Sequence, residues 1–274
     1  MTAQRPVLGA EEVWRAYDRM EARLTAPLSE RMLDLARLEP GMRVLDLATG
    51  RGEPAIPAAR RVGSGGSVLG IDISASMLAI AGQRAHEEGV TNLELRAMNA
   101  ESLEGLPGAH FHATLARWGL MYMDSPVAAL AGARRAMVPE GLLVAAVLAE
   151  AERCSYFSLP RRVLARYRPL PAIEPGAPGP FRYAGLERLR QDLDRADLKI
   201  EHVEELTVPV MEAETTSEVI AWARAFGLTR LLNDLPESTQ RSWEEDFAKA
   251  AEALRQDGII RLDCATRIVV ASGR

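Results

Sequence analysis

Hydrophobic and polar positions change period several times along this chain. Val13, Trp14, Tyr17, Met20 and Leu24 recur at steps of three and four, and residues 28–38 repeat the pattern, so the N-terminal stretch predicts helix up to the break at Pro40-Gly41. Five short apolar runs follow, at 43–48, 67–73, 93–98, 112–118 and 141–149. Short and separated by helical stretches, they are the candidate strands. The segments 53–62, 74–89 and 125–137 carry helical spacing between them. Strands alternating with helices at this interval imply parallel pairing in a doubly wound α/β sheet.

The pattern changes after Glu150. Residues 169–180 are rich in Pro and Gly and predict a surface loop, 186–198 an amphipathic helix, and 200–210 a sixth strand. Two further helices, 217–235 and 241–256, precede a last strand at 264–272. The expected division is a helical cover over 1–40, a ligand-binding core over 41–150, and the rest of the sheet over 151–274. Within that last part, 151–185 and 211–262 fall outside the alternation. Ligands of open α/β sheets bind beyond the carboxyl ends of the strands, so insertions there can form a helical lid.

Composition narrows the function classes. With 274 residues and 47% hydrophobic content, the chain can build one core with a sizeable insertion. No apolar run approaches the ~18–20 residues that span a bilayer. The first twenty residues carry acids where a signal peptide needs a basic and then an apolar stretch, so a cytoplasmic protein without a membrane partner is expected. The formal charge is -5, and the arginines are interleaved with acids, which argues against a nucleic-acid surface. The 2 cysteines and 4 histidines have neither metal-ligand spacing nor a disulfide framework, so no metal is expected. A monomer or homodimer acting on a small molecule fits this balance.

The chemistry-bearing stretch is "VLDLATGRGE", Val44 to Glu53. Gly50 to Ala55 fits the dinucleotide pattern G-x-G-x-x-A, whereas Asp46 to Gly52 fits the D-x-[GA]-x-G-x-G loop that holds S-adenosylmethionine. Charge separates the two. A dinucleotide sets a pyrophosphate on the helix N-terminus, where Asp46 and Glu53 would repel it. The same acids suit a ligand with an ammonium and a sulfonium. Asp72, ending the second strand, can accept hydrogen bonds from both ribose hydroxyls. Ser74 is placed to cap the next helix, with Met77 near the adenine. Asn99, Ala100 and Glu101 can offer an amide side chain, a backbone amide and a carboxylate to the adenine edge.

These residues together resemble class I S-adenosylmethionine-dependent methyltransferases, in the ubiquinone/menaquinone C-methyltransferase-like branch and its small-molecule relatives. The resemblance covers about Trp14 to Glu150. The family pattern V-L-D-x-[AG]-x-G-x-G is met by Val44 to Gly52, its ribose acid by Asp72, and its G-D-A-E-x-L turn by Met98 to Leu103 with Asn99 in place of the usual Asp. His112 also stands where the family has an Asp. The resemblance implies a Rossmann-like seven-stranded sheet with the last strand antiparallel, and a cofactor site made of Asp46, Ala48, Gly50, Gly52, Asp72, Ile73, Met77, Asn99, Ala100 and Glu101, with Arg117 and Tyr17 alongside.

For catalysis, methyl transfer needs alignment of a nucleophile and exclusion of water more than it needs a base. His110 and His112 start the fourth strand at the wrong end, His86 is late in a helix and His202 starts the sixth strand, so structural or solvated roles are expected for all four. Arg117 and Glu150, closing the fourth and fifth strands, and Tyr122 are the candidate catalytic or orienting residues. Trp118, Leu120 and Met121 read equally well as core. Trp14 and Tyr17 read as cofactor cover or as ordinary core, and Tyr156, Phe157, Phe181 and Tyr183 as the lining of an aromatic pocket. The expected function is methyl transfer to an oxygen or carbon of a quinone-, phenol- or polyketide-like acceptor. The alternatives are a non-methylating relative (a cyclase or binding protein) and an NAD-dependent oxidoreductase.

Overall fold

Five parallel strands follow one another where the apolar runs predict them: β1 (Arg43–Leu47), β2 (Ser67–Asp72), β3 (Leu93–Ala97), β4 (Phe111–Arg117) and β5 (Met137–Leu148). The structure, a computed structural model, describes residues 10–170 and 176–274. β6 (Leu198–Ala213) and β8 (Ile259–Gly273) complete a sheet of order β3-β2-β1-β4-β5-β8-β6. β8 runs antiparallel to β5, from Leu142 opposite Ser272 to Leu148 opposite Thr266. This is the expected doubly wound sheet with its reversed last strand. β1 lies between two parallel partners, with Val44 beside both Val68 and Ala113, which is why Val44, Leu45 and Leu47 are all fully buried.

An eighth, two-residue strand is added to the seven expected. β7 (Arg255–Gln256) pairs with the start of β8, Gln256 opposite Ile259. The helix expected to reach residue 256 stops at Glu252, because Asp257 (φ 49°) and Gly258 (φ 81°) form a two-residue hairpin turn. Asp-Gly is the sequence signal for that turn. The helix expected over 217–235 is also interrupted, by a π-turn over Arg224–Leu228. Of the Pro/Gly-rich loop, residues 171–175 lie outside the described residues.

The chain divides into two compact units, one of 26–150, 173–207 and 265–274 and one of 1–25, 151–172 and 208–264. Residues 176–207 group with the sheet. In the sheet unit, α1 (Ala10–Leu35) buries Leu28, Met32 and Leu33 completely. Its Arg31 grips Glu204 of β6 with two bonds of 2.6 Å. Arg61 of α2 (Ala55–Val62) reaches back to Asp34 at 2.8 Å and Glu30 at 2.6 Å. The smaller unit has its own core, in which Trp243 stacks on Phe247 at 5.1 Å and donates to the Pro160 carbonyl at 3.3 Å. Tyr17 packs against that core. The Trp14 side chain lies outside the described residues. No helix among the described residues is long and apolar enough to cross a membrane.

The Arg31 bond, followed by the His202 bond, holds the Glu204 carboxyl at about 2, below its ordinary 4.5. A depressed folded-state value means a contribution present at neutral pH and lost as pH falls from about 4.5 toward about 2. Glu204→Gln is therefore expected to lower the melting temperature at pH 6, with the gap to the parent protein closing below pH 4. Circular dichroism melts across that range measure it, and a gap independent of pH would show that the charge plays no part.

Candidate functional site

The turn after β1 is built from backbone shapes that few side chains allow. Ala48 (φ 53°), Gly50 (φ 54°) and Gly52 (φ 93°) all lie in the left-handed region. A Cβ on Gly52 would fall 2.7 Å from Ile56, so that glycine lets α2 pack close. A Cβ on Gly50 would meet nothing within 4 Å, so the space above the turn is open. Beside the turn, a Cβ on Gly119 would fall 2.6 Å from the Ala48 Cβ. The segment after β4 thus lies directly on the glycine loop.

Beneath the loop, Asp46 is fully buried and neither carboxylate oxygen has a hydrogen-bond partner. Burial pushes this carboxyl up to about 7, against the smaller pull of the Thr49 hydroxyl and the Arg117 guanidinium. The Thr49 hydroxyl is near enough to favour ionisation, yet it too closes no hydrogen bond. Asp46 is therefore poised, with the neutral form favoured by its surroundings and the ionised form awaiting a cation.

Asp72, at the end of β2, is aimed by the backbone. Its Oδ2 accepts from the Gly50 N–H at 2.9 Å and its Oδ1 from the Ser74 N–H at 2.8 Å. A carboxylate has about four acceptor positions, so two remain for ribose hydroxyls. Ser74 caps α3 (Ala75–Glu87) by accepting from the Met77 N–H at 3.3 Å. Ile73, between them, is 77% exposed, an apolar surface of the kind an adenine covers. In the next turn the Asn99 Oδ1 accepts from the Glu101 N–H at 2.9 Å, and Ala100 is buried. Glu101 is employed elsewhere: its two oxygens accept the Asp124 and Ser125 N–H groups at 3.0 Å, just before α4 (Pro126–Ala136). This leaves Asn99 and the Ala100 backbone for the adenine edge.

Glu53 also differs from expectation. It receives Arg84 at 2.9 Å and the Ser29 hydroxyl at 2.9 Å, a partly buried clasp between α1, the loop and α3. Its carboxylate is thereby paired within the scaffold. Arg117 donates to Ser29 at 3.3 Å and lies 5.0 Å from the Trp118 ring centroid. Trp118 itself has φ 57°, a strained value for a bulky residue, and donates to the Thr266 hydroxyl at 3.2 Å. Tyr122 is 55% exposed in the turn after β4. Glu150 is bound by Arg267 at 3.2 Å, a partner the sequence did not indicate. His112 accepts from the Arg43 N–H at 2.9 Å and His202 contacts Glu204 at 2.8 Å, so both have structural roles. In the smaller unit, Tyr156 meets Trp222 edge-on at 6.2 Å. Phe181 and Tyr183 are buried in the sheet unit.

The donor set fits an adenosyl ligand with a cationic amino-acid tail: an orphaned buried carboxylate, open space above Gly50, and a ribose acid with two free acceptor positions. Comparison with known proteins agrees. Residues 44–141 match the family model described as "Methyltransferase domain". The aklanonic acid methyltransferase of Streptomyces sp. (strain C5) is 37% identical over 42% of this chain and 52% of its own length. A ubiquinone/menaquinone biosynthesis C-methyltransferase of Shewanella pealeana is 34% identical over 41% of this chain and 45% of its own length. The chain thus spans about half the length of the curated relatives it matches. Among solved structures, a methyltransferase-like protein from Bacillus halodurans C-125 superposes with a TM-score of 0.58, at 16% identity, over 89% of this chain and 97% of that one. The [4+2]-cyclase SpnF superposes with a TM-score of 0.57, at 19% identity, over 99% of both chains. At those identities the structures speak for the fold alone. Residues 44–141 thus match the methyltransferase-domain model, and the chain has the doubly wound fold of the solved structures it resembles.

Proposed function

We infer that this chain transfers a methyl group from S-adenosylmethionine to a small organic acceptor. The observation that carries this reading is the buried, unpartnered Asp46 carboxylate beneath an open glycine loop. Asp46 would face the ammonium of the cofactor, Ala48, Gly50 and Gly52 its methionine part, Asp72 its ribose, and Ile73, Met77, Asn99 and Ala100 its adenine. When bound, the cofactor supplies a methyl group already activated by positive sulfur. The residues of this chain then have to bind, orient and keep water out. Arg117, at the carboxyl end of β4, is placed to orient the acceptor or the cofactor tail. Glu150 is tied to Arg267, which suits it to an orienting role. The similar proteins include an aklanonic acid methyltransferase and a ubiquinone/menaquinone biosynthesis C-methyltransferase, which supports a small, oxygen-bearing acceptor here.

The direct test is incubation with S-adenosylmethionine and a panel of phenols, quinols and polyketide-like acids, reading S-adenosylhomocysteine and methylated product by mass spectrometry. Product with any member is expected. Cofactor binding with no transfer across the panel would favour a non-methylating use of the fold, of the kind a cyclase neighbour represents.

Two substitutions test the cofactor seat. Asp72→Ala removes the acceptor of Gly50 as well as that of the ribose, and should weaken S-adenosylhomocysteine binding by about 1.5–3 kcal/mol in calorimetry. Unchanged binding would overturn the ribose placement.

Asp46 makes a sharper case. Burial raises its folded-state value to about 7, so ionising it costs stability as pH rises, while a bound ammonium needs the ionised form. Affinity for S-adenosylhomocysteine should rise as pH increases toward 7, up to about tenfold per pH unit, and then level off. Asp46→Asn should bind weakly without that slope, yet at pH 8 the ligand-free variant should be more stable, by on the order of 2–4 kcal/mol. A variant less stable than the parent at pH 8 would contradict the burial penalty.

A further inference from the structure

Arg267 and Arg182 are both buried arginines of the sheet unit, 7% and 9% exposed, and they are treated oppositely. Arg267 meets two carboxylates, Glu205 at 2.8 Å and Glu150 at 3.2 Å. Arg182 meets none within ion-pair distance among the described residues. Its Nη1 donates to the Met123 carbonyl, and its guanidinium carbon lies 5.8 Å from the Tyr183 ring centroid. Its Nε is buried and has no partner. The buried acid of the same segment, Asp192, is committed elsewhere. It accepts the Tyr183 hydroxyl at 2.9 Å and is approached by Arg188 at 3.5 Å and Arg195 at 3.7 Å.

A guanidinium taken out of water without a counter-charge is costly, and proteins keep such groups where a ligand completes them. The donors left over here have a definite geometry. With Nη1 occupied, the Nε and Nη2 N–H groups remain on one edge of the fork, parallel and spaced to match the two oxygens of a carboxylate. The side chain is also held in place. The Gly179 N–H donates to the Met121 carbonyl at 2.8 Å on one side of it, and Arg267 grips the Tyr183 and Ala184 carbonyls at 3.3 and 2.7 Å on the other. Met121 and Met123 belong to the turn that begins at Gly119, against Ala48 of the glycine loop. Arg182 is thus anchored at the carboxyl end of β4, where open α/β sheets bind their ligands.

We propose that Arg182 is the anion receptor of the acceptor site, taking a carboxylate or an equally planar oxyanion of the molecule to be methylated through its Nε–Nη2 edge. This rests on reading the chain as a small-molecule methyltransferase and names the acceptor class, an acidic one. Neither the family pattern nor the glycine loop contains this residue.

The test is calorimetry with 2-naphthoate and its neutral twin 2-naphthamide, on the ligand-free protein and on the protein loaded with S-adenosylhomocysteine. The parent should bind the carboxylate at least tenfold more tightly than the amide. Arg182→Met should erase that preference and leave S-adenosylhomocysteine affinity within twofold, while Arg182→Lys, which keeps the charge but not the fork, should retain part of it. Should Arg182→Met fail to fold, Arg182→Lys alone decides, since a full preference in that variant excludes the forked bond. No carboxylate preference in the parent, or an equal preference in Arg182→Met, overturns the proposal. A matching loss of S-adenosylhomocysteine binding in Arg182→Met would assign the arginine to the cofactor instead and overturn it equally. Failure of the parent to bind S-adenosylhomocysteine would count against the methyltransferase reading, while the carboxylate preference of the ligand-free protein is still measured.

Discussion

The Asp72 carboxylate ties the loop after β1 to the start of α3. Its two oxygens hold the Gly50 amide of the loop after β1 and the Ser74 amide at the start of α3. An ionised carboxylate accepting backbone N–H groups makes some of the stronger hydrogen bonds available to a protein. Here these bonds set the distance between loop and ribose acid before any ligand arrives. The open space above Gly50, the exposed face of Ile73 and the cap on α3 all depend on that one junction. Asp46, one strand away, is left without such bonds, and this contrast divides the labour. Asp72 is satisfied and positions, while Asp46 is unsatisfied and waits for a cation.

A second layer of contacts supports the first. Glu53, Arg84 and Ser29 clasp the loop to its flanking helices, and Glu101 holds the amides that lead into α4. These acids stand among the ligand-binding residues in sequence but are spent on the scaffold. Such a site is stiff at modest cost, because each partly buried charge is paired at short range. Arg182, like Asp46, has a buried polar atom without a partner, and the same accounting that explains Glu53 marks it out.

Much of the fold was legible along the chain. The apolar runs at 43–48, 67–73 and 112–118 became β1, β2 and β4, whose positions are mostly buried, and 93–98 became the partly exposed edge strand β3. Helix ends were legible where a cap such as Ser74 was visible. The end of α9 (Glu237–Glu252) was misplaced because the helical period runs on through Arg255 and Gln256, and the Asp-Gly turn outranks it. The grouping of residues 176–185 was not legible, since in composition they resemble an insertion, yet they fall in the sheet unit.

By itself the sequence determined the order of strands and helices, the glycine loop and the acids beside it, because period, glycine spacing and local charge are properties of neighbours along the chain. Only the tertiary structure decided which charges are available. Glu53, Glu101 and Glu150 looked equivalent to Asp46 as carboxylates, and Arg182 looked like any of the arginines scattered along the chain. Their partners come from residues up to 117 positions away, as with Glu150 and Arg267. Burial and pairing across such separations set the free energy of a charge, and no local pattern encodes them.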